Sequence, residues 1–358
     1  MTRPENSLAA AEIAELYAEL KHFYTEPPSP VITSADERAL IQSIRGRTSE
    51  RNRTNLTRTS AYLEFHCACP EIHWALLAHL VSRNGGYSMT DLHASHIGPL
   101  LKKSEKEELF RLLETINASI FADAYPQLLL YEESKKRGRD LSYLLPAFRV
   151  SSFMIPIWTA FFKRGNRGLL TAALITNEQS MIEVNMLSEP ETIQPLLKPK
   201  FILQEKLGLT YVLFPYKKRK TQKKFSVTGL SVSGFQSLDE RIHTGKRLYH
   251  LLYSKPAAHQ SILSFCKQHA HTGSRADYWP HLFSTEESAV KAVSPYLETV
   301  WPEKQWMKPA ASDWYKKLGF PEGFETPERA VLKDLSHEAL SSILSLAPLS
   351  ALSKKWNR

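Results

Sequence analysis

The sequence has few cysteines, and their spacing builds neither a covalent nor a metal-bound framework. Its 358 residues contain three, Cys67, Cys69 and Cys266. A small and uneven number of cysteines excludes a disulfide scaffold and is typical of proteins in a reducing compartment. We therefore expect a cytoplasmic protein. One residue separates Cys67 from Cys69, where a zinc knuckle has about two, and the sequence therefore predicts no metal site.

Long hydrophobic runs are also absent. The most apolar stretch, residues 150–162, contains Pro156 and is too short for a transmembrane helix of roughly 20 residues. It predicts a buried helix pair or turn. Residues 1–6 lead into an acidic amphipathic stretch instead of a basic region followed by an apolar one, so we expect no signal peptide.

The net charge of +9 is concentrated locally. Residues 217–224 contain six Lys or Arg and no acid, and the other charges sum to +3. Residues 45–58 contain five arginines against a single acid, Glu50. Such clusters are either solvated surface or contacts to nucleic acid or another polyanion.

Helical spacing dominates the pattern of apolar residues. Residues 71–84 predict one helix, ended by Gly85 and Gly86, and residues 105–137 predict a long one. Capping boxes, in which a Ser is followed three residues later by a Glu, predict further helix starts. They are Ser34/Glu37, Ser104/Glu107, Ser237/Glu240 and Ser284/Glu287.

Signals for β-strands are confined to the middle of the chain. Residues 209–214 and 225–232 are rich in β-forming residues, and the basic segment 217–224 lies between them. The sequence therefore predicts a mainly α protein: a helical bundle over residues 1–195, then a smaller, mostly helical region over 196–358 with a β-hairpin at 209–232.

Several polar residues lie on apolar helix faces when residues are placed at 100° intervals. His73 and Asn84 fall within the apolar arc of one helix, with Arg83 at its border. Asn177 and Glu178 fall on a helix that is apolar almost all round. In the long helix Asn117 and Gln127 share the apolar arc, and Asp123 lies at its edge. This pattern predicts either a hydrogen-bond network that fixes core packing or a polar pocket.

The loop at 269–280 is dense in reactive side chains. Residues 272–275 (Thr-Gly-Ser-Arg) are able to hold an anion, and Asp277 is placed to orient Arg275 or His271. The alternative is a turn with a surface Arg–Asp pair. Residues 82–91 likewise form either a simple helix end or a loop that brings Arg83, Asn84 and Asp91 to a site.

Seven segments together resemble a family of Bacillus-type bacterial proteins known as a domain of unknown function. They are NRTNLTRT (52–59), PEIHW (70–74), HLVSRNGG (79–86), MTDL (89–92), DAYPQ (123–127), NEQ (177–179) and HTGSR (271–275). The resemblance covers about residues 45–285. It implies a cytoplasmic bacterial protein and supplies no activity, fold or ligand.

The leading hypothesis is a pocket between helices that binds an anion or another small ligand. Its predicted binding residues are Arg83, Asn84, Asp91, Asn117, Asp123, Asn177 and Arg275. If the protein catalyses a reaction, Glu178 or His73 is the candidate acid or base, and Arg83 or Arg275 the charge stabiliser. The alternative is a nucleic-acid-associated or scaffold protein that uses residues 45–58 and 217–224. No cofactor or oligomeric state is assigned.

Overall fold

The computed structural model describes residues 10–26, 33–187, 211–219, 221–232, 237–302 and 312–344. The fold is mainly α, as predicted. Seven α-helices occupy the described part of the first 187 residues: α1 (Ala10–Thr25), α2 (Ala35–Arg51), α3 (Asn55–Ala68), α4 (His73–Asp91), α5 (Lys103–Arg137), α6 (Met154–Arg164) and α7 (Arg167–Ile182). The boundary predicted near residue 195 lies outside the described residues, so the division into two regions stays a prediction.

The second part of the chain adds a hairpin and shorter helices. Strands β1 (Tyr211–Tyr216) and β2 (Ser226–Ser231) pair antiparallel, with Tyr211 opposite Ser231, which confirms the predicted hairpin. The remaining elements are α8 (Leu238–Tyr253), α9 (Pro256–Gln268), the short parallel pair β3 (Phe283–Ser284) and β4 (Ala292–Val293), α10 (Leu297–Val300), α11 (Trp314–Leu318) and α12 (Ser336–Leu344).

Two of the four serines predicted to begin helices are N-caps, and a third, Ser104, lies within the first turn of its helix. The side chains of Ser34 and Glu37 each accept a hydrogen bond from the other residue's backbone N–H, and Ser237 accepts from the N–H of Glu240. Helix α5 begins at Lys103, one residue before the predicted cap at Ser104. The start predicted at Ser284 is wrong, because that residue pairs as β3 with the backbone of β4.

The predicted end of α4 at Gly85 and Gly86 is also wrong, since the helix continues to Asp91. Close packing explains the glycines. A Cβ atom at position 86 would lie 2.4 Å from both Asn55 Oδ1 and His271 Nε2, and one at position 85 would lie 3.1 Å from Asn117 Oδ1. Gly86 therefore lets α3 and the 269–280 loop approach α4 closely.

Helix α7 lies at the centre of the core, as its all-round apolar sequence indicates. Its residues from Leu169 to Asn177 are all buried, and it packs against α4, α5, α6 and α8. The apolar run at 150–162 is buried as predicted and supplies α6. Over the described part of the chain, no helix combines the length and the hydropathy that crossing a membrane requires.

Candidate functional site

A cavity of about 200 Å³ lies where α3, α4, α5, α7 and α8 meet the hairpin. We call it the Glu178 cavity. Most of its wall is hydrocarbon or aromatic, contributed chiefly by Tyr62, Trp74, Leu77, Val81, Ile120, Val212 and Leu248. A few polar side chains interrupt this wall, namely Ser82, Asn117, Glu178, Gln179, Arg241 and Thr244. An apolar pocket with a few converging polar groups is the usual form of a small-ligand site.

Glu178 is the acidic residue in this wall. Its side chain accepts a hydrogen bond from Gln179 Nε2 at 3.0 Å. Burial raises the pKa of Glu178 to about 7, against the opposing effect of hydrogen bonds from Gln179 and Trp74. Within the described part of the chain, no Lys, Arg or His forms an ion pair with it. Glu178 thus lies in the wall of a largely apolar cavity, with no countercharge among the described residues.

Arg241, the basic residue of the wall, is engaged elsewhere. Its Nε donates to Gln179 Oε1 at 3.1 Å, and its Nη2 donates to Glu183 Oε2 at 2.5 Å. The side chain of Arg241 is buried, whereas that of Glu183 is 33% exposed. Glu183, not Glu178, therefore balances the charge of the guanidinium.

Tyr62 and Asn117 also contribute polar groups to the wall. The hydroxyl of Tyr62 is buried and has no hydrogen-bond partner among the described residues, and burial raises its pKa well above the usual value. Asn117 donates to the carbonyl of Leu113, one turn earlier in α5. An unsatisfied buried hydroxyl is costly, and a ligand able to hydrogen-bond with it would remove that cost.

A buried polar cluster lies beside the cavity, where α4 meets the 269–280 loop. Arg83 donates to the carbonyls of His269 (2.7 Å) and Ala270 (3.2 Å) and pairs with Asp277 at 3.3 Å. Asp277 also accepts from Tyr87, at 3.1 Å. Burial alone would raise the pKa of Asp277, but hydrogen bonds and the charge of Arg83 hold it below its usual value.

His271 connects this cluster to α3. Its Nδ1 accepts from the N–H of Gly273, so its Nε2 carries the proton and donates to Asn55 Oδ1 at 2.9 Å. Asn55 in turn donates to the carbonyl of Ser82 at 2.9 Å. Because burial lowers the pKa of His271 to about 4, the ring is neutral near pH 7. Ser82 belongs to the wall of the Glu178 cavity, so the two regions are contiguous.

Arg275 binds Asp91 at the far end of α4. Its Nε lies 2.9 Å and its Nη2 2.5 Å from Asp91 Oδ2, and its Nη1 donates to the hydroxyl of Tyr278. The 269–280 loop therefore reaches the N-terminal polar residues. Of the two neighbours that the sequence offered for Asp277, His271 lies 3.7 Å away, whereas Arg275 pairs with Asp91. Asp277 also pairs with Arg83.

Asp123 and Asn177 form a separate chain of hydrogen bonds within the helical core. Asn177 Nδ2 lies 2.6 Å from Asp123 Oδ2, and Asn177 Oδ1 accepts from the indole of Trp314. Gln127 donates to Asp123 and accepts from the indole of Trp158. Burial raises the pKa of Asp123 to about 7. These groups satisfy one another and leave little capacity for a ligand.

His73 and Asn84 have structural contacts. His73 stacks on Tyr253 with ring centres 3.9 Å apart, and burial lowers its pKa to about 3, so it is a weak base. Asn84 accepts from the N–H of Leu213 and donates to its carbonyl, which holds β1 against α4. Neither residue belongs to the wall of the Glu178 cavity.

A larger cleft of about 510 Å³ lies beside α7 and α8, with Lys246 and His250 in its wall. The buried ammonium of Lys246 donates to the carbonyl of Thr326, and His250 Nδ1 accepts from the N–H of Ala330. The side chains of both Lys246 and His250 thus already have hydrogen-bond partners within the protein.

The predicted site residues consequently occupy several places. Glu178 and Asn117 share the cavity, Arg83, Asp91 and Arg275 lie in the salt-bridged cluster, and Asp123 and Asn177 lie in the core. Sequence reasoning missed Tyr62, Trp74 and Arg241 as wall residues. Aromatic residues on a helix face carry no signal that separates a cavity wall from ordinary core.

The basic clusters are partly engaged with the protein itself. Arg58 is buried and pairs with Glu114 at 2.5 Å, while Arg47 and Arg51 pair with Glu132 and Glu64. In the hairpin loop Lys218 pairs with Asp334. The exposed basic side chains described there include Arg219, Lys223 and Lys224.

No three His, Cys, Asp or Glu side chains converge to form a metal-binding group within the described ranges. The three cysteines are free.

Comparison with known proteins adds a family but no activity. The family model "Protein of unknown function (DUF2515)" matches residues 50–338. The chain is 37% identical over 302 residues to the uncharacterized protein YppC of Bacillus subtilis (strain 168), an alignment that covers 83% of this chain and 91% of that protein. No solved structure matches the chain significantly. The chain belongs to the DUF2515 family of proteins of unknown function.

Proposed function

We propose that this protein binds a small organic ligand in the Glu178 cavity. One observation carries the proposal: the half-buried carboxyl group of Glu178, which has no ion-pair partner among the described residues, lies in the wall of a largely apolar cavity of about 200 Å³. Withdrawing the charged form of this carboxyl group from water without an ion partner costs free energy. A bound ligand would offset that cost.

The anion hypothesis loses support at this cavity. Arg83 and Arg275, the candidate charge stabilisers, pair with Asp277 and Asp91 and do not belong to the wall. The carboxyl of Glu178 would repel an anion whenever it is ionised. The observations therefore favour a ligand that is neutral or positively charged, and they define no chemical reaction.

Binding is testable with benzyl alcohol, a neutral single-ring probe. An apolar cavity of about 150 Å³ holds benzene, so the Glu178 cavity is large enough. We expect ligand-observed NMR to detect binding to the full chain, and Val81→Trp to abolish it. Val81 is 37% exposed, so the larger side chain can reach solvent while it narrows the cavity.

Val290→Trp is the matched control, because Val290 is 93% exposed and lies outside the cavity wall. It should bind the probe as the parent chain does. If Val81→Trp retains parental thermal stability and also retains parental binding, the probe does not occupy this cavity and the proposal fails.

Nucleic acid is the second candidate partner, supported by the exposed basic side chains of the hairpin loop. Replacing Arg219, Lys223 and Lys224 by Gln should flatten the salt dependence of DNA or RNA binding, because fewer counterions are released. Unchanged slopes would exclude a contact through this loop. We place the protein in the cytoplasm, in keeping with its free cysteines.

A further inference from the structure

We propose that the ligand of the Glu178 cavity is a small primary amine, whose ammonium pairs with the carboxylate of Glu178 and whose single apolar group fills the cavity. This inference rests on the proposed function and adds the chemical class of the ligand.

The charges that face Glu178 favour a cation. Asp123, from α5, adds a negative potential that raises the pKa of Glu178 further. Arg241, from α8, is held by Glu183, and Tyr62, from α3, is neutral because burial raises its pKa. No described element packed around Glu178 supplies a free positive charge. A ligand ammonium would supply the missing partner.

The wall favours an ammonium that carries an apolar group. Trp74 and Tyr62 pack with their ring planes nearly perpendicular and their ring centres 5.5 Å apart, and both belong to the cavity wall. Aromatic faces attract cations, and the aliphatic wall residues Leu77, Val81 and Ile120 accept hydrocarbon. The volume of about 200 Å³ restricts the apolar group to roughly one ring and a short linker.

Binding should release a proton. Because burial raises the pKa of Glu178 to about 7, part of the unliganded protein carries a protonated Glu178 near neutral pH. An ammonium at ion-pair distance stabilises the carboxylate and lowers its pKa, so the proton leaves to solvent. An alkylamine, with a pKa near that of lysine at about 10, remains protonated. The affinity for the amine should therefore rise between pH 6 and pH 8, whereas the affinity for a neutral ligand should not.

The test compares three isosteric probes, benzylamine, benzyl alcohol and benzoate, by NMR titration of the full chain at pH 6 and pH 8. We expect benzylamine to bind at least tenfold more tightly than benzyl alcohol at pH 8, and benzoate to bind most weakly. Glu178→Gln should reduce the affinity for benzylamine to that for benzyl alcohol. Unchanged benzyl alcohol binding by this variant shows that the cavity is intact.

Glu64→Gln is the matched control, because it also removes one carboxylate, at an exposed site paired with Arg51. It should leave all three affinities as in the parent chain. Benzyl alcohol binding that Val81→Trp abolishes, without a preference for benzylamine, would overturn the amine inference and leave the proposed function standing. A preference for benzoate would overturn it likewise. Binding of no probe at all would overturn both.

Discussion

Arg275 and Asp91, which are 184 residues apart in the sequence, form a buried ion pair with Nη2 and Oδ2 2.5 Å apart. The same guanidinium also binds the hydroxyl of Tyr278, and the carboxylate lies 3.7 Å from His96. Both charged side chains are nearly inaccessible to solvent. This pair anchors the 269–280 loop to the end of α4.

Removing one member of this pair should strongly destabilise the folded protein. Arg275→Gln leaves the carboxylate of Asp91 buried without its partner, and we expect the free energy of unfolding to fall by about 3–5 kcal/mol. Arg51→Gln, which breaks the exposed pair with Glu64, should cost less than about 1 kcal/mol. Urea denaturation of both variants checks this. Equal losses would mean that the buried pair does not hold the loop.

The two adjacent glycines of α4 should respond differently to alanine. At Gly86 the added methyl group would lie 2.4 Å from the side chains of Asn55 and His271, so we expect Gly86→Ala to destabilise the protein by about 1–3 kcal/mol. At Gly85 only Asn117 is close, and helix propensity favours alanine by up to about 1 kcal/mol. Thermal denaturation should rank Gly85→Ala above Gly86→Ala, and the reverse order would contradict the close-approach explanation.

These glycines show where sequence patterns stop being informative. In the sequence, a Gly-Gly pair that ends an apolar helix cannot be distinguished from one that lets another segment of the same protein pack closely against the helix. Here the neighbour is His271, far away in sequence. The box at Ser34 and Glu37 was predictable because both hydrogen bonds lie within one turn. Ser284 has the same local pattern, but its carbonyl accepts from the N–H of Ser294, just after β4.

The candidate site was predictable only in part for the same reason. Glu178 and Asn117 stood out because each is polar on an apolar helix face, and both belong to the cavity wall. Helical spacing does not show which polar side chains from different helices and loops contact one another. It therefore grouped Arg83 with Glu178, although Arg83 is bonded to Asp277.

The stability of the core should depend on the protonation of Asp123. Burial raises its pKa to about 7 in the folded protein, from about 3.9 in an unfolded chain. The folded state therefore binds the extra proton, and this stabilising contribution is present below about pH 4 and lost as the pH rises through 7. A tenfold difference in proton affinity between the two states corresponds to about 1.4 kcal/mol of stability.

Asp123→Asn removes this titration and keeps an oxygen that accepts from Asn177. We expect its stability relative to the parent chain to improve as the pH rises from 5 to 8, measured by urea denaturation. Asp36→Asn, at an exposed site paired with Arg137, should show no such trend. Parallel pH curves for Asp123→Asn and the parent chain would show that Asp123 is ionised throughout this range.

Asn84 should be essential for the attachment of the hairpin to α4. Its side chain bonds both the N–H and the carbonyl of Leu213, at 2.8 and 2.9 Å, and so occupies the place of a neighbouring strand. Asn84→Leu fills the same space but leaves both backbone groups buried without partners, at a cost of roughly 1–3 kcal/mol for each. Asn117→Ala, which removes a hydrogen bond only to its own helix, should cost far less.

Hydrogen exchange at the backbone N–H of Leu213 measures the local effect. Exchange should accelerate in Asn84→Leu and stay slow in Asn117→Ala. Unchanged protection at Leu213 would show that β2 alone holds the strand.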